Sequence, residues 1–113
     1  MIKIKRIYDS PGDDDGFRIL VDKIWPRGIK KENAKLDEWM KEVAPSTALR
    51  KWFGHDAAKW TDFKKRYRDE LKDNQAFATL KKLLKQKGSV TLLYGAKDEK
   101  HNQAVALSEF LKK

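Results

Sequence analysis

The sequence predicts an α/β protein, a single domain over residues 1–113 with a small, mainly parallel or mixed sheet of about four strands flanked by helices. Three observations lead there. Apolar and basic residues alternate at the amino terminus, and two later stretches are almost continuously apolar, which are the two patterns that strands produce. Between those stretches the apolar residues step by three and four, as on helices. A chain of 113 residues is long enough for one hydrophobic core and short for two.

The elements follow in order. In "MIKIKRIYD", Ile2, Ile4 and Ile7 alternate with Lys3, Lys5 and Arg6, so an opening strand with one face toward the core is expected, not a signal peptide. "DSPGDDDG" is dense in turn formers and acids and reads as an exposed loop. "FRILVDKIW" places Ile19, Leu20, Val21 and Ile24 in a strand covered on both faces. Asp22 interrupts it, and a carboxylate buried there needs a partner such as Arg27 or a backbone donor; a structural ion pair is the expectation.

Residues 36–44 carry Leu36, Trp39, Met40 and Val43 at helical spacing, yet the segment is short and stops at Pro45. Ser46 is placed to cap a helix that Gly54 ends, and Asp56 to cap a second with Trp60, Phe63, Tyr67 and Leu71 along one face. Phe77, Leu80, Leu83 and Leu84 mark a third helix closed by Gly88. "SVTLLYGA" is the clearest strand, and "HNQAVALSEFLKK" a terminal helix burying Ala104, Leu107 and Leu111.

Composition removes several function classes. Without cysteine there is no disulfide, thiolate metal site or cysteine nucleophile. No apolar run approaches the roughly 18 residues that span a bilayer, so a cytoplasmic location away from membranes is expected. "DDD" at 13–15 lacks the alternation of a calcium loop, the two histidines are far apart, and nucleotide and dinucleotide fingerprints are missing. Neither a metal nor a cofactor is expected. The net charge of +9 suggests nucleic acid, but "KWTDFKKRYRDELKD" mixes both signs in the manner of a solvated helix face.

In open α/β sheets ligands settle beyond the carboxyl ends of the strands. "WPRG", "APST" and "YGAKDEKHN" fall at such ends. Pro26 fixes the backbone before Arg27, and Gly28 permits a positive φ, so Arg27 is a candidate to hold an oxyanion, or to pair with an acid on a rigid loop. Ser46 and Thr47 open a helix whose amino end attracts anions, with Arg50 one turn on, although Ser46 also reads as a plain cap. His101 and Asn102 start the last helix, where His101 suits a general base and Asn102 a ligand contact or a cap. Tyr94 ends the strand before them and supplies a hydroxyl or closes the core; His55 reads as a loop or capping residue.

"VDKIWPRG", "APSTALRKWFGHD" and "VTLLYGAKDEKHNQAV", in this order and spacing, resemble the YeaO-like branch of DUF488, a family of unknown function. The resemblance covers almost the whole chain and implies a compact cytoplasmic α/β protein of bacteria or archaea, with a strand near residues 37–43. Larger relatives carry a cysteine-rich signature ending in Cys-His-Arg where this chain has Lys100, His101 and Asn102, so their thiol chemistry is out of its reach.

The resulting expectation is an anionic small molecule, bearing phosphate or carboxylate, bound at the carboxyl edge of the sheet. Were it turned over, hydrolysis or group transfer with His101 as base and Arg27 as oxyanion holder is the economical scheme. Two alternatives come from other classes: a nucleic-acid-binding module using basic helices with Trp52 and Trp60 as stacking surfaces, and a protein-interaction module with a vestigial pocket.

Overall fold

Five consecutive buried residues, Val90–Tyr94, form the central strand of the sheet. Such a strand must be covered on both faces, and this one is. A computed structural model describes residues 1–112. The strands are β1 (Ile2–Arg6), β2 (Phe17–Leu20), β3 (Glu38–Trp39) and β4 (Val90–Tyr94), in the order β1-β4-β2-β3. Every pairing is parallel, with Ile2 and Phe17 flanking Val90 on either side and Leu20 beside Trp39. All four carboxyl ends therefore open onto one edge.

Side-chain alternation divides the core into two layers. Val90, Leu92 and Tyr94 point with Ile19 and Val21 toward the helices, among Phe53, Phe63, Tyr67, Leu80 and Leu107. Those helices are α2 (Thr47–Phe53), α3 (Trp60–Leu71), α4 (Gln75–Lys87) and α5 (Gln103–Leu111). Leu20 and Leu93 point the other way, with Ile7 and Ala34, onto Trp25, Ile29, Leu36 and Trp39. That face is closed by the β2–β3 connection and its one-turn helix α1 (Lys31–Ala34), an element the periodicity did not announce.

The caps stand where the sequence places them. Ser46 accepts the Leu49 N–H at 3.1 Å, and Asn102 the Val105 N–H at 3.0 Å. Gly54 ends α2 in the left-handed conformation at φ 53°, and Gly88 ends α4. Asp56 caps a single 3₁₀ turn, Ala57–Lys59, which runs straight into α3. Residues 36–44 divide between both expectations: two residues pair as β3, and Lys41–Val43 make one 3₁₀ turn.

Three expectations are corrected. β2 stops at Leu20; Val21 still donates to the Leu93 carbonyl at 3.0 Å, but the chain then turns and leaves Ile24 65% exposed. The acidic loop is not wholly exposed, because Asp15 is buried. It accepts bonds from Lys5 Nζ at 3.1 Å, the Gly12 N–H at 3.0 Å and the guanidinium of buried Arg18. Arg18 also donates to the carbonyls of Ala34 at 2.9 Å and Lys35 at 3.1 Å, so the buried ion pair of this fold joins Asp15 to Arg18 and does not involve Asp22. The third correction follows from the turn after Val21: Asp22 takes a backbone donor and no cation.

Candidate functional site

The carboxyl edge of the sheet holds a crevice of about 350 Å³. Its walls come from three segments: Asp22, Lys23 and Ile24 after β2; Ala44, Pro45, Arg50, Lys51, Phe53 and His55 on and around α2; and Ala96, His101, Asn102 and Gln103 between β4 and α5. Phe63 of α3 completes the lining, and its ring stacks on Phe53 at 4.3 Å. Two of the segments expected at this edge, "APST" and "YGAKDEKHN", contribute to it; from the third, the wall is made by Asp22, Lys23 and Ile24 just before "WPRG", and none of those four residues lines it.

Asp22 sits where β2 turns away. One carboxylate oxygen accepts the Gly95 N–H at 2.8 Å and the other accepts from Gln103 Nε2. Burial pushes the carboxyl up; the Gly95 N–H, Gln103 and the charge of Arg50 oppose that, and the balance lies at about 6. Asp22 thereby ties the end of β2 to the loop after β4 and to the first turn of α5.

The β4–α5 loop is wound about Asp98. Its carboxylate accepts the N–H groups of Lys100 at 2.9 Å and His101 at 3.0 Å, and contacts His101 Nδ1 at 2.9 Å. The Lys100 N–H above all, with His101, holds the Asp98 carboxyl below its usual range. An ionised carboxylate only accepts, so Nδ1 carries the proton of this contact, and in the neutral form of the ring Nε2 is left as an acceptor. No described residue bonds Nε2. The imidazole and Trp60 ring centroids lie 5.3 Å apart in a T-shaped contact, which fixes the plane of the imidazole. Asn102 is buried; its amide nitrogen donates to the Asp98 carbonyl at 2.9 Å while its oxygen caps α5.

Three cations stand in the rest of the lining, among apolar side chains. Lys23, Arg50 and Lys51 face a single carboxylate, Asp22, whose oxygens already accept hydrogen bonds. The half-buried Arg50 guanidinium makes no hydrogen bond or ion pair with any described residue. His55 follows Gly54 and is itself left-handed, at φ 58°, so that two successive left-handed residues carry the chain off α2 beside the crevice. Both histidines of the chain line this one crevice.

Other residues named from the sequence lie elsewhere. Arg27 is exposed and outside the lining; its carbonyl accepts the Tyr8 hydroxyl at 3.0 Å. The reason is the anchor beside it: Trp25 packs edge-on against Trp39 on the second sheet face and donates to the Ile29 carbonyl at 2.8 Å. Gly28 has φ 76°, and a Cβ there would meet open space, so the turn conformation requires it, with no close approach of another group. Ser46 gives its N–H and hydroxyl to Glu70, and Thr47 is exposed beside it. Tyr94 is buried in the main core, and burial raises its phenol above the ordinary value.

Lys23, Lys51 and Gln103 were not singled out from the sequence. Only Gln103 carried a signal, as the first residue after the Asn102 cap. Among the described residues, no group of three or more His, Cys, Asp or Glu side chains is arranged to hold a metal ion, and no helix is long and apolar enough to cross a membrane.

Fold and crevice define a small parallel α/β protein with a cation-lined crevice at its carboxyl edge. The family model described as the inactive DUF488-N3 subclade matches residues 1–113, and the chain belongs to that family, as a YeaO-like member. It is 42% identical over 111 residues to the uncharacterised protein YeaO of Escherichia coli K12, covering 98% of this chain and 96% of that one. It is 44% identical over 82 residues to the uncharacterised protein Rv3073c of Mycobacterium tuberculosis H37Rv, covering 73% and 70%. No solved structure matches it.

Proposed function

We propose that this protein binds an anionic small molecule, bearing phosphate or carboxylate, in the crevice at the carboxyl edge of its sheet, and that it binds without turnover. The observation that carries the reading is Arg50, a half-buried residue of the crevice whose guanidinium makes no hydrogen bond or ion pair with any described residue, although its charge acts on nearby Asp22. A guanidinium offers a rigid fork of donors suited to a carboxylate or phosphate. Lys23 and Lys51 add charge at the same place, and His101 Nε2 is free to accept from a hydroxyl of the ligand or, when protonated, to donate to its oxyanion.

Binding in preference to catalysis draws support from the description of the matched subclade as inactive. A hydrolase or transferase would use the Asp98–His101 pair as an oriented base. The two readings separate on turnover alone.

The test is ligand-induced thermal stabilisation across a panel of phosphate- and carboxylate-bearing metabolites, with the wild-type chain, Arg50→Met, His101→Gln and Arg27→Ala. Stabilisation that Arg50→Met removes and Arg27→Ala leaves intact is the expected pattern. A shift lost with Arg27→Ala and kept with Arg50→Met would move the site to the "WPRG" turn; no shift with any anion sinks the reading.

A further inference from the structure

We infer that the ligand of the crevice is an organic anion with an apolar body, an aromatic ring or branched hydrocarbon attached to its phosphate or carboxylate, and that Ile24 is the residue that recognises this body. The inference rests on the anion reading above and narrows it to a class of molecule.

Ile24 is one observation behind it. Its side chain is 65% exposed, and besides Met1 and Tyr8 it is the large apolar residue that the described fold leaves uncovered. Met1 is terminal and Tyr8 uses its hydroxyl on the Arg27 carbonyl. Ile24 has neither explanation. It stands in the lining of the crevice, next to Lys23. An exposed branched side chain beside a cation is what a ligand with an apolar part and a charged part would cover.

The rest of the apolar lining is a second, independent observation. Phe53 and Phe63 are core residues, 5% and 2% exposed, and both border the crevice. Their stacked rings, with Ala44 and Pro45, add apolar residues to the same lining that holds Ile24. A bare oxyanion gains nothing from it.

Size agrees. At ~30 Å³ for each water in the liquid, about 350 Å³ holds considerably more than the few heavy atoms of an inorganic oxyanion. With the head group at Arg50, the remaining volume is filled by the part of the ligand that covers Ile24.

The experiment measures binding of inorganic phosphate and of phenyl phosphate to the full chain and to Ile24→Ser, by calorimetry at pH 7.5. Ile24 is at the surface and the substitution leaves the core untouched, so the variant folds. Phenyl phosphate should bind at least about tenfold more tightly than inorganic phosphate. Ile24→Ser should erase most of that preference and leave inorganic phosphate unchanged. Equal affinity of the two probes for the wild type, or a preference that survives Ile24→Ser, overturns the inference while the anion site stands. Failure of both probes to bind overturns the anion site itself.

Discussion

Glu70 of α3 accepts both the backbone N–H of Ser46, at 2.9 Å, and its hydroxyl, at 2.6 Å. The amino end of α2 is thus satisfied from within the protein: the same hydroxyl accepts from Leu49, and a carboxylate of the chain occupies the place where a bound anion would sit. The cationic groups of α2 that border the crevice are Arg50, one turn on, and Lys51 after it. Replacing Glu70 by Ala should lower stability by about 1 kcal/mol, and Ser46→Ala by a similar amount. The double variant should cost less than the sum, because both changes remove the bond from the Ser46 hydroxyl to Glu70. Urea denaturation of the three variants checks this; strict additivity would contradict the shared contact.

Asp22 makes stability depend on pH in a definite direction. Its folded carboxyl lies at about 6, above the ordinary 3.8, so the native state holds this proton more tightly than the unfolded chain. The contribution is complete below the unfolded value and is lost as pH rises through the folded one. Between pH 4.5 and 7.5 the group should cost on the order of 2 kcal/mol. Asp22→Asn, with its oxygen toward Gly95 and its amide toward a flipped Gln103, should remove that slope and be the more stable protein at pH 7.5. An unchanged pH profile in the variant would contradict the assignment.

Asp15 acts with the opposite sign. Burial raises its carboxyl, but the Gly12 N–H, Lys5 and Arg18 outweigh burial and hold it down at about 2. Its contribution is present above the ordinary carboxylate value and disappears as pH falls toward 2. Arg18→Met removes one partner and leaves the buried carboxylate with Lys5 as its cation and the Gly12 N–H, which should destabilise by about 3 kcal/mol. Denaturation of Arg18→Met against Asp15→Asn/Arg18→Met measures it: the double variant should recover part of the loss.

Gly16 is required by its backbone and by its neighbour. At φ 67° it is left-handed, and a Cβ there would stand 2.4 Å from the Ser89 carbonyl oxygen. Gly16→Ala should therefore cost more than about 2 kcal/mol. Gly28→Ala, with a similar φ and open space around it, should cost markedly less. Equal losses in the two variants would mean that the contact with Ser89 relaxes freely.

Local chemistry was legible in the sequence, and distant pairing was not. Ser46, Gly54, Asp56, Gly88 and Asn102 mark their helix ends because capping is settled within three or four residues. β4 was legible because burial on both faces leaves an unbroken apolar run. The end of β2 was not: Val21–Ile24 continues the apolar pattern, and only Gly95, far along the chain, shows why Asp22 turns out of the strand. Asp15 looked like one of three solvated acids, since Lys5 and Arg18 reach it from separate strands.

The site divides along the same line. The three segments that meet at the carboxyl edge follow from strand direction alone, and His101, Arg50 and Asn102 came with them. Arg27 did not, because Trp25 is anchored on the second face of the sheet and the turn carries the next residues outward. Ser46 was read correctly as a cap, but its partner Glu70 lies on another helix and no local pattern points to it.

The most direct test of the anion site is a titration of the isotopically labelled protein with sulfate, followed by the amide and side-chain NMR signals of the wild type and of Arg50→Met. Anion binding at Arg50 gives saturable shifts confined to Asp22, Arg50, Lys51, Ala96 and His101 in the wild type and none in the variant. Saturable shifts that persist in Arg50→Met, or that fall on the basic faces of α3 and α4 and not on the crevice, would contradict it.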